Sequence, residues 1–119
     1  MADPSTVRVP RELLECQQLW PQGWVCPGGP RGVCLPYGFC VRHAGYVIRA
    51  LFHVEHPLVP PRIYLTPAPV SGHYYAPAGE VTPRLCWIAA GQWQTRHTLT
   101  VAVASAMRFI NEYRAGRAD

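Results

Sequence analysis

The six residues His56-Pro57-Leu58-Val59-Pro60-Pro61 bar helix from the middle of this chain. Each proline pushes its predecessor toward extended geometry, and each removes a backbone donor. The flanking sequence obeys the same restriction. From Gly23 to Val54, short β-type runs alternate with turn clusters: Trp24-Val25-Cys26, then Pro27-Gly28-Gly29-Pro30-Arg31-Gly32, then Val33 to Val41, Arg42-His43-Ala44-Gly45, and Tyr46 to Val54. Such clusters between β-rich runs predict an antiparallel meander. In the run from Tyr46, Arg49 and His53 lie four apart on one strand face, so that face is half buried at most. Arg62-Ile63-Tyr64-Leu65-Thr66 supplies a fourth strand. The stretch from Pro67 through Pro83, with the rings of His73-Tyr74-Tyr75, reads as a long irregular loop, of a kind that either carries function or is disordered.

Helix is left to the two ends. Leu13, Cys16 and Trp20 recur at helical spacing; Pro10 suits a first turn and Pro21 blocks continuation, which predicts a helix from Pro10 to Trp20. Arg8 and Arg11 would lie at its outer start, solvated or facing a partner. A second helix is predicted from Thr98 or Thr100, either able to cap it, to about Tyr113. Val103, Ala106, Met107 and Ile110 form its inward stripe, Arg108 and Glu112 are spaced to pair outside, and Gly116 stops it. The order helix, meander, loop, helix is an α+β domain, and 119 residues fit a single domain over 1–119 with its core in 10–114.

With 49% hydrophobic and 15% charged residues, the composition is globular. No apolar run nears the roughly 20 residues that span a bilayer, and Met1-Ala2-Asp3-Pro4-Ser5 lacks a signal pattern, so a cytoplasmic chain with no membrane partner is expected. The net charge of +4 rests on eleven arginines, with no lysine. They are scattered from Arg8 to Arg117, without the clustered basic face that binding phosphates needs, so no nucleic-acid partner is expected. A GC-rich genome accounts for missing lysines; so does the handling of an amine-reactive acyl group, because lysine is a ready nucleophile.

Five cysteines, an odd number, argue against a disulfide framework. Cys26, Cys34, Cys40 and His43 invite a zinc reading, but structural zinc ligands come in close pairs and only Cys40 and His43 are so spaced. These thiols are read as small buried apolar groups on strands. Cys86, in Arg84-Leu85-Cys86-Trp87, differs from them: it closes the proline-rich loop and precedes the apolar turn Trp87-Ile88-Ala89-Ala90-Gly91-Gln92-Trp93. Trp87 and Trp93 are expected in the core, their indole donors bracing the cysteine loop.

This order of signals resembles the catalytic fold of ubiquitin-conjugating enzymes (UBC-like). That family has an N-terminal helix, a four-stranded meander, a Pro-Pro pair before the last strand, an irregular loop to the active cysteine, and a Trp-led turn into a central helix. The corresponding parts are Pro10 to Trp20, Trp24 to Thr66, Pro60-Pro61, Pro67 to Leu85, Cys86, and Trp93 with Thr100. The C-terminal helices of eukaryotic members are missing. The short, lysine-free chain is most similar to the bacterial versions found in operons with an activating enzyme, a ubiquitin-like modifier and an isopeptidase, several of which act in antiphage defence.

The resemblance implies that Cys86 accepts the C-terminus of a ubiquitin-like protein from an activating enzyme as a thioester and passes it to an acceptor protein, with no metal and no small cofactor. The family's His-Pro-Asn falls on Ala76-Pro77-Ala78, where only the proline is kept. Its asparagine stabilises the oxyanion formed on attack by lysine, so here either the acceptor is not a lysine or another donor takes its place. His73, Tyr75 and His97 are the candidates. For Cys86 an ordinary buried cysteine, for His73 an ordinary loop position, and for His97 a solvent-facing place at the helix start are the alternative readings. An inactive binding module on the same fold is the alternative function.

Overall fold

The first helix, α1 (Pro4–Leu19), starts well before the first-turn position suggested by Pro10, which lies inside it. A proline ring suits helical φ, and the donor it removes would have served the carbonyl of residue 6 near the helix start, so the helix runs through. The computed structural model describes residues 4–70, 72–76, 83–89 and 91–116. Val9, Leu13 and Cys16 are buried as one stripe. Trp20 packs at its end on Phe39, ring centroids 6.4 Å apart. Arg8 is not on an outer face as expected. Its side chain is mostly buried and ion-paired with Glu12, which is itself fully buried.

The predicted meander is present. Strands β1 (Trp24–Pro27), β2 (Cys34–His43), β3 (Tyr46–His53) and β4 (Arg62–Thr66) pair antiparallel in chain order. The β2–β3 hairpin turns on Ala44 and Gly45, both left-handed at φ 53° and 88°. That is the two-residue turn whose twist matches the strands it joins.

Alternation gives the sheet two faces. Phe39, Ile48, Phe52, Ile63 and Leu65 point to the helices and form the core with both helical stripes. Each such side chain contributes about 1.5–3 kcal/mol on leaving water. On the other face a row of directly paired residues crosses all four strands: Trp24, Cys40, Arg49, Tyr64. Part of this face is covered by the β1–β2 loop, clamped where the Arg49 guanidinium donates to the carbonyls of Pro27 at 2.9 Å and Gly28 at 2.5 Å. Gly28 has no alternative here, because a Cβ would lie 1.8 Å from the Leu35 carbonyl oxygen.

The second helix, α2 (Leu99–Arg114), packs on β3, β4 and α1. Its stripe is Leu99, Ala102, Val103, Ala106 and Ile110, with Met107 only partly buried. Thr98 is the N-cap residue, but its hydroxyl does not cap; it pairs with the Thr100 hydroxyl at 2.6 Å. The first helical amide donates to Glu12. Among the described residues Arg108 and Glu112 form no ion pair, so the expected external bridge is absent. At the far end Gly116, φ 76°, sends its N–H to the Tyr113 carbonyl and ends the helix as predicted. No helix among the described residues is long and apolar enough to cross a membrane.

The segment expected to be wholly irregular contains a short antiparallel ribbon, β5 (Tyr74–Tyr75) with β6 (Arg84–Leu85). Tyr74 and Leu85 explain it. The Tyr74 hydroxyl accepts the Leu65 N–H at 3.2 Å and Leu85 is buried, so both strands are pinned to β4.

Candidate functional site

Cys86 directly follows Leu85, the anchor of the ribbon. Its N–H donates to the His73 carbonyl at 2.6 Å, which carries the Tyr74–Leu85 pairing one step further and sets residues 73 and 86 opposite each other. Successive residues of a strand point to opposite faces, so with Leu85 inward Cys86 turns outward. Its side chain is exposed, whereas Cys16, Cys26, Cys34 and Cys40 are buried. The sulfur lies 3.9 Å from the Ile88 carbonyl oxygen, a weak contact that fixes little.

Two tryptophans hold the turn after the cysteine. The Trp87 indole N–H donates to the Pro61 carbonyl at 2.9 Å and that of Trp93 to the Pro57 carbonyl at 2.8 Å. Their rings meet edge to face, centroids 5.8 Å apart. The proline-rich segment that cannot be helix thus supplies two unpaired carbonyls, and the cysteine turn supplies two donors. The expected bracing role is observed, with both rings partly buried instead of fully in the core.

The two candidate histidines are placed differently. His73 shares the ribbon with Cys86, exposed, its ring 5.8 Å from Phe109 of α2. His97 is committed to the start of α2. Its Nδ1 accepts the Gln94 N–H at 3.1 Å, its ring stands on Trp93 at 5.3 Å, and its carbonyl accepts from Arg8. Among the described residues it makes no hydrogen bond to Cys86. The structure therefore sets the His73 backbone opposite that of the cysteine and places His97 in the turn before the helix. Pro77 and Ala78, which fall on the family's Pro-Asn, lie outside the described residues, and so does the side chain of Tyr75.

A buried polar cluster under this site escaped the sequence reading. Glu12 Oε2 accepts from Arg8 Nε at 2.5 Å and from His56 Nε2 at 2.9 Å, while Oε1 accepts the Leu99 N–H at 2.6 Å. Arg8 also donates to the carbonyls of Thr95 and His97. Burial pushes the Glu12 carboxyl up, but the bonds from His56, Arg8 and Leu99 outweigh it and hold the group below its usual range. A signal was available: Glu12 falls three after Val9 and four before Cys16, on the buried stripe, and four after Arg8. On the outer side, His53 is pushed below its ordinary value by burial and by Arg62 and Arg84, with Glu55 opposing.

Among the described residues no three histidine, cysteine, aspartate or glutamate side chains converge as metal ligands would. His43, one member of the zinc set considered above, donates instead to Asn111 Oδ1 at 2.8 Å. No protein-family model, curated protein or solved structure matches the chain.

Proposed function

We propose that the chain is a ubiquitin-conjugating-type carrier whose Cys86 holds the C-terminus of a ubiquitin-like protein as a thioester, in a bacterial conjugation system of the antiphage kind. The observation that carries the reading is the exposure of Cys86 alone among five cysteines, at the end of a ribbon pinned to the sheet and before a turn braced by Trp87 and Trp93. A transfer thiol must reach two large partners in succession, which an exposed sulfur on a fixed backbone permits. The order of helix, meander, proline pair, loop, cysteine and helix supports it as well.

In the proposed cycle the Cys86 thiolate attacks the thioester carbonyl held by an activating enzyme, the enzyme's own thiolate leaves, and the modifier is bound to Cys86. An acceptor nucleophile then attacks the same carbonyl and Cys86 leaves as thiolate. A second reading, an inactive binding module, is favoured by one specific feature: alanine at position 78, where the family has its oxyanion-stabilising asparagine.

One experiment separates the two. The purified protein is mixed with its operon's activating enzyme, modifier and ATP, then run on a non-reducing gel and weighed intact. The carrier gives a thiol-sensitive adduct that is lost, or becomes a thiol-resistant ester, in Cys86→Ser. Absence of an adduct beside a demonstrably charged activating enzyme rejects the carrier and leaves the binding module.

A further inference from the structure

The sheet face turned away from the helices holds a pair of thiols. Cys26 on β1 and Cys40 on β2 bring their sulfurs to 2.8 Å. The register explains the approach: Cys26 pairs with Gly38 and Cys40 with Trp24, so the cysteines are diagonal neighbours on one face, and Gly38 has no side chain to come between them. Arg49 pairs directly with Cys40, and its guanidinium is anchored on the Pro27 and Gly28 carbonyls beside Cys26.

We propose that Cys26 and Cys40 form a thiol–disulfide exchange site, independent of Cys86, which reacts with a small-molecule disulfide of the glutathione type and closes to a cross-strand disulfide joining β1 to β2. The Cys26 thiolate attacks one sulfur of the small disulfide, the other sulfur leaves as a thiolate, and a mixed disulfide remains on Cys26. Cys40 then attacks the Cys26 sulfur and expels the second small thiolate; its own proton passes to one of the released thiolates. Two protein thiols are oxidised and one small disulfide is reduced to two thiols.

Three features fit this chemistry. The nucleophile is assigned by acidity: the Cys40 S–H donates to Cys26, which together with the Arg49 charge outweighs burial and brings the Cys26 thiol down to about 7. The same contact makes Cys40 harder to ionise while Cys26 is charged, so Cys40 is the resolving thiol. Access comes from β1 itself, a four-residue edge strand with Trp24 and Val25 partly exposed, the kind of element that opens without global unfolding.

The test uses the reduced full-length protein in buffers of set reduced and oxidised glutathione ratio, quenched with acid, alkylated after denaturation and mapped. Expected is one internal bridge between the tryptic peptides 12–31 and 32–42, which fragmentation locates to Cys26 and Cys40 with Cys16 and Cys34 alkylated. Cys40→Ser is expected to trap glutathione on Cys26. Arg49→Gln should slow closure about threefold, since a less acidic thiol loses thiolate faster than it gains nucleophilicity. Alkylated Cys26 and Cys40 after Cys86 is fully glutathionylated would overturn the proposal, as would a bridge to Cys16 or Cys34. The wild-type map decides the matter even if a variant fails to fold.

Discussion

Glu12 of α1 caps α2: its Oε1 accepts the backbone N–H of Leu99 at 2.6 Å, across 87 residues of sequence. The first turn of a helix carries unpaired amides and partial positive charge, which a carboxylate meets better than a threonine hydroxyl. The same carboxylate binds Arg8, which holds the carbonyls of Thr95 and His97. One side chain therefore fixes the first helix, the turn before the second, and the second helix itself.

Glu12→Ala should cost about 3–5 kcal/mol, because it takes the counter-charge from the mostly buried Arg8 guanidinium and the acceptor from both His56 Nε2 and the Leu99 amide. Glu12→Gln should cost less, since an amide oxygen still accepts from Leu99. Urea unfolding at neutral pH measures both. A loss below about 1 kcal/mol for the alanine variant would show that water replaces the carboxylate.

Acid should unfold the protein in two stages of known sign. His53 has its folded value depressed, so it favours the fold above the ordinary histidine range and loses that contribution as pH falls through the lowered value. Glu12 is depressed likewise, so its contribution is present above the ordinary glutamate range and is lost as pH drops below it. Glu12→Gln should flatten the lower stage and leave the upper one; His53→Gln should do the reverse. Melting temperature against pH reads both.

The strand order, the hairpin at Ala44-Gly45 and the cysteine's position were legible because each follows from local grammar: turn residues, alternation and proline. The Glu12 cluster was not read, because its partners Arg8, His56 and Leu99 are brought together by packing of two helices and a proline turn. The β5–β6 ribbon was missed for a related reason: two residues per strand give no periodicity, and what orders them is the long-range bond from Tyr74 to Leu65. His97 was legible in part: the sequence places it at the helix start, but not the bond from the Gln94 N–H to its Nδ1 or the seating of its ring on Trp93, which depend on the fold of the turn.

Ala44 is a local conflict that can be relieved. It is the only non-glycine residue with positive φ among those described, at 53°, and an L-residue with a Cβ is disfavoured there. Asparagine tolerates that conformation and favours this turn. Ala44→Asn should raise stability by roughly 1 kcal/mol; an unchanged urea midpoint would mean that the hairpin imposes no strain.

The cysteines should separate by reactivity in the native state. Burial, with Glu12 and Glu15 nearby, pushes the Cys16 thiol up to about 12, so it is neutral as well as enclosed. Its labelling by a maleimide requires opening of the core, which in a domain stable by 5 kcal/mol slows reaction by more than about a thousandfold. Exposed Cys86 needs no opening. Timed alkylation with peptide mapping should find Cys86 modified first and Cys16 last; Cys16 labelled alongside Cys86 would contradict the packing of α1.

His73 and His97 should part company when each is replaced by alanine. His97 supplies an acceptor to Gln94 and a ring to Trp93, so its loss should cost about 1 kcal/mol of stability while Cys86 alkylates at an unchanged rate. His73 is exposed with its ring against Phe109, so its loss should cost no more than about 1 kcal/mol. It stands opposite Cys86 on the ribbon, so under the carrier reading its replacement should slow thioester discharge about tenfold or more and alter the pH profile of that step. Discharge by the His97 variant should follow its folded fraction alone. If instead His97→Ala abolishes discharge in a fully folded protein and His73→Ala does nothing, the ribbon partner of Cys86 is a bystander and the helix start supplies the chemistry.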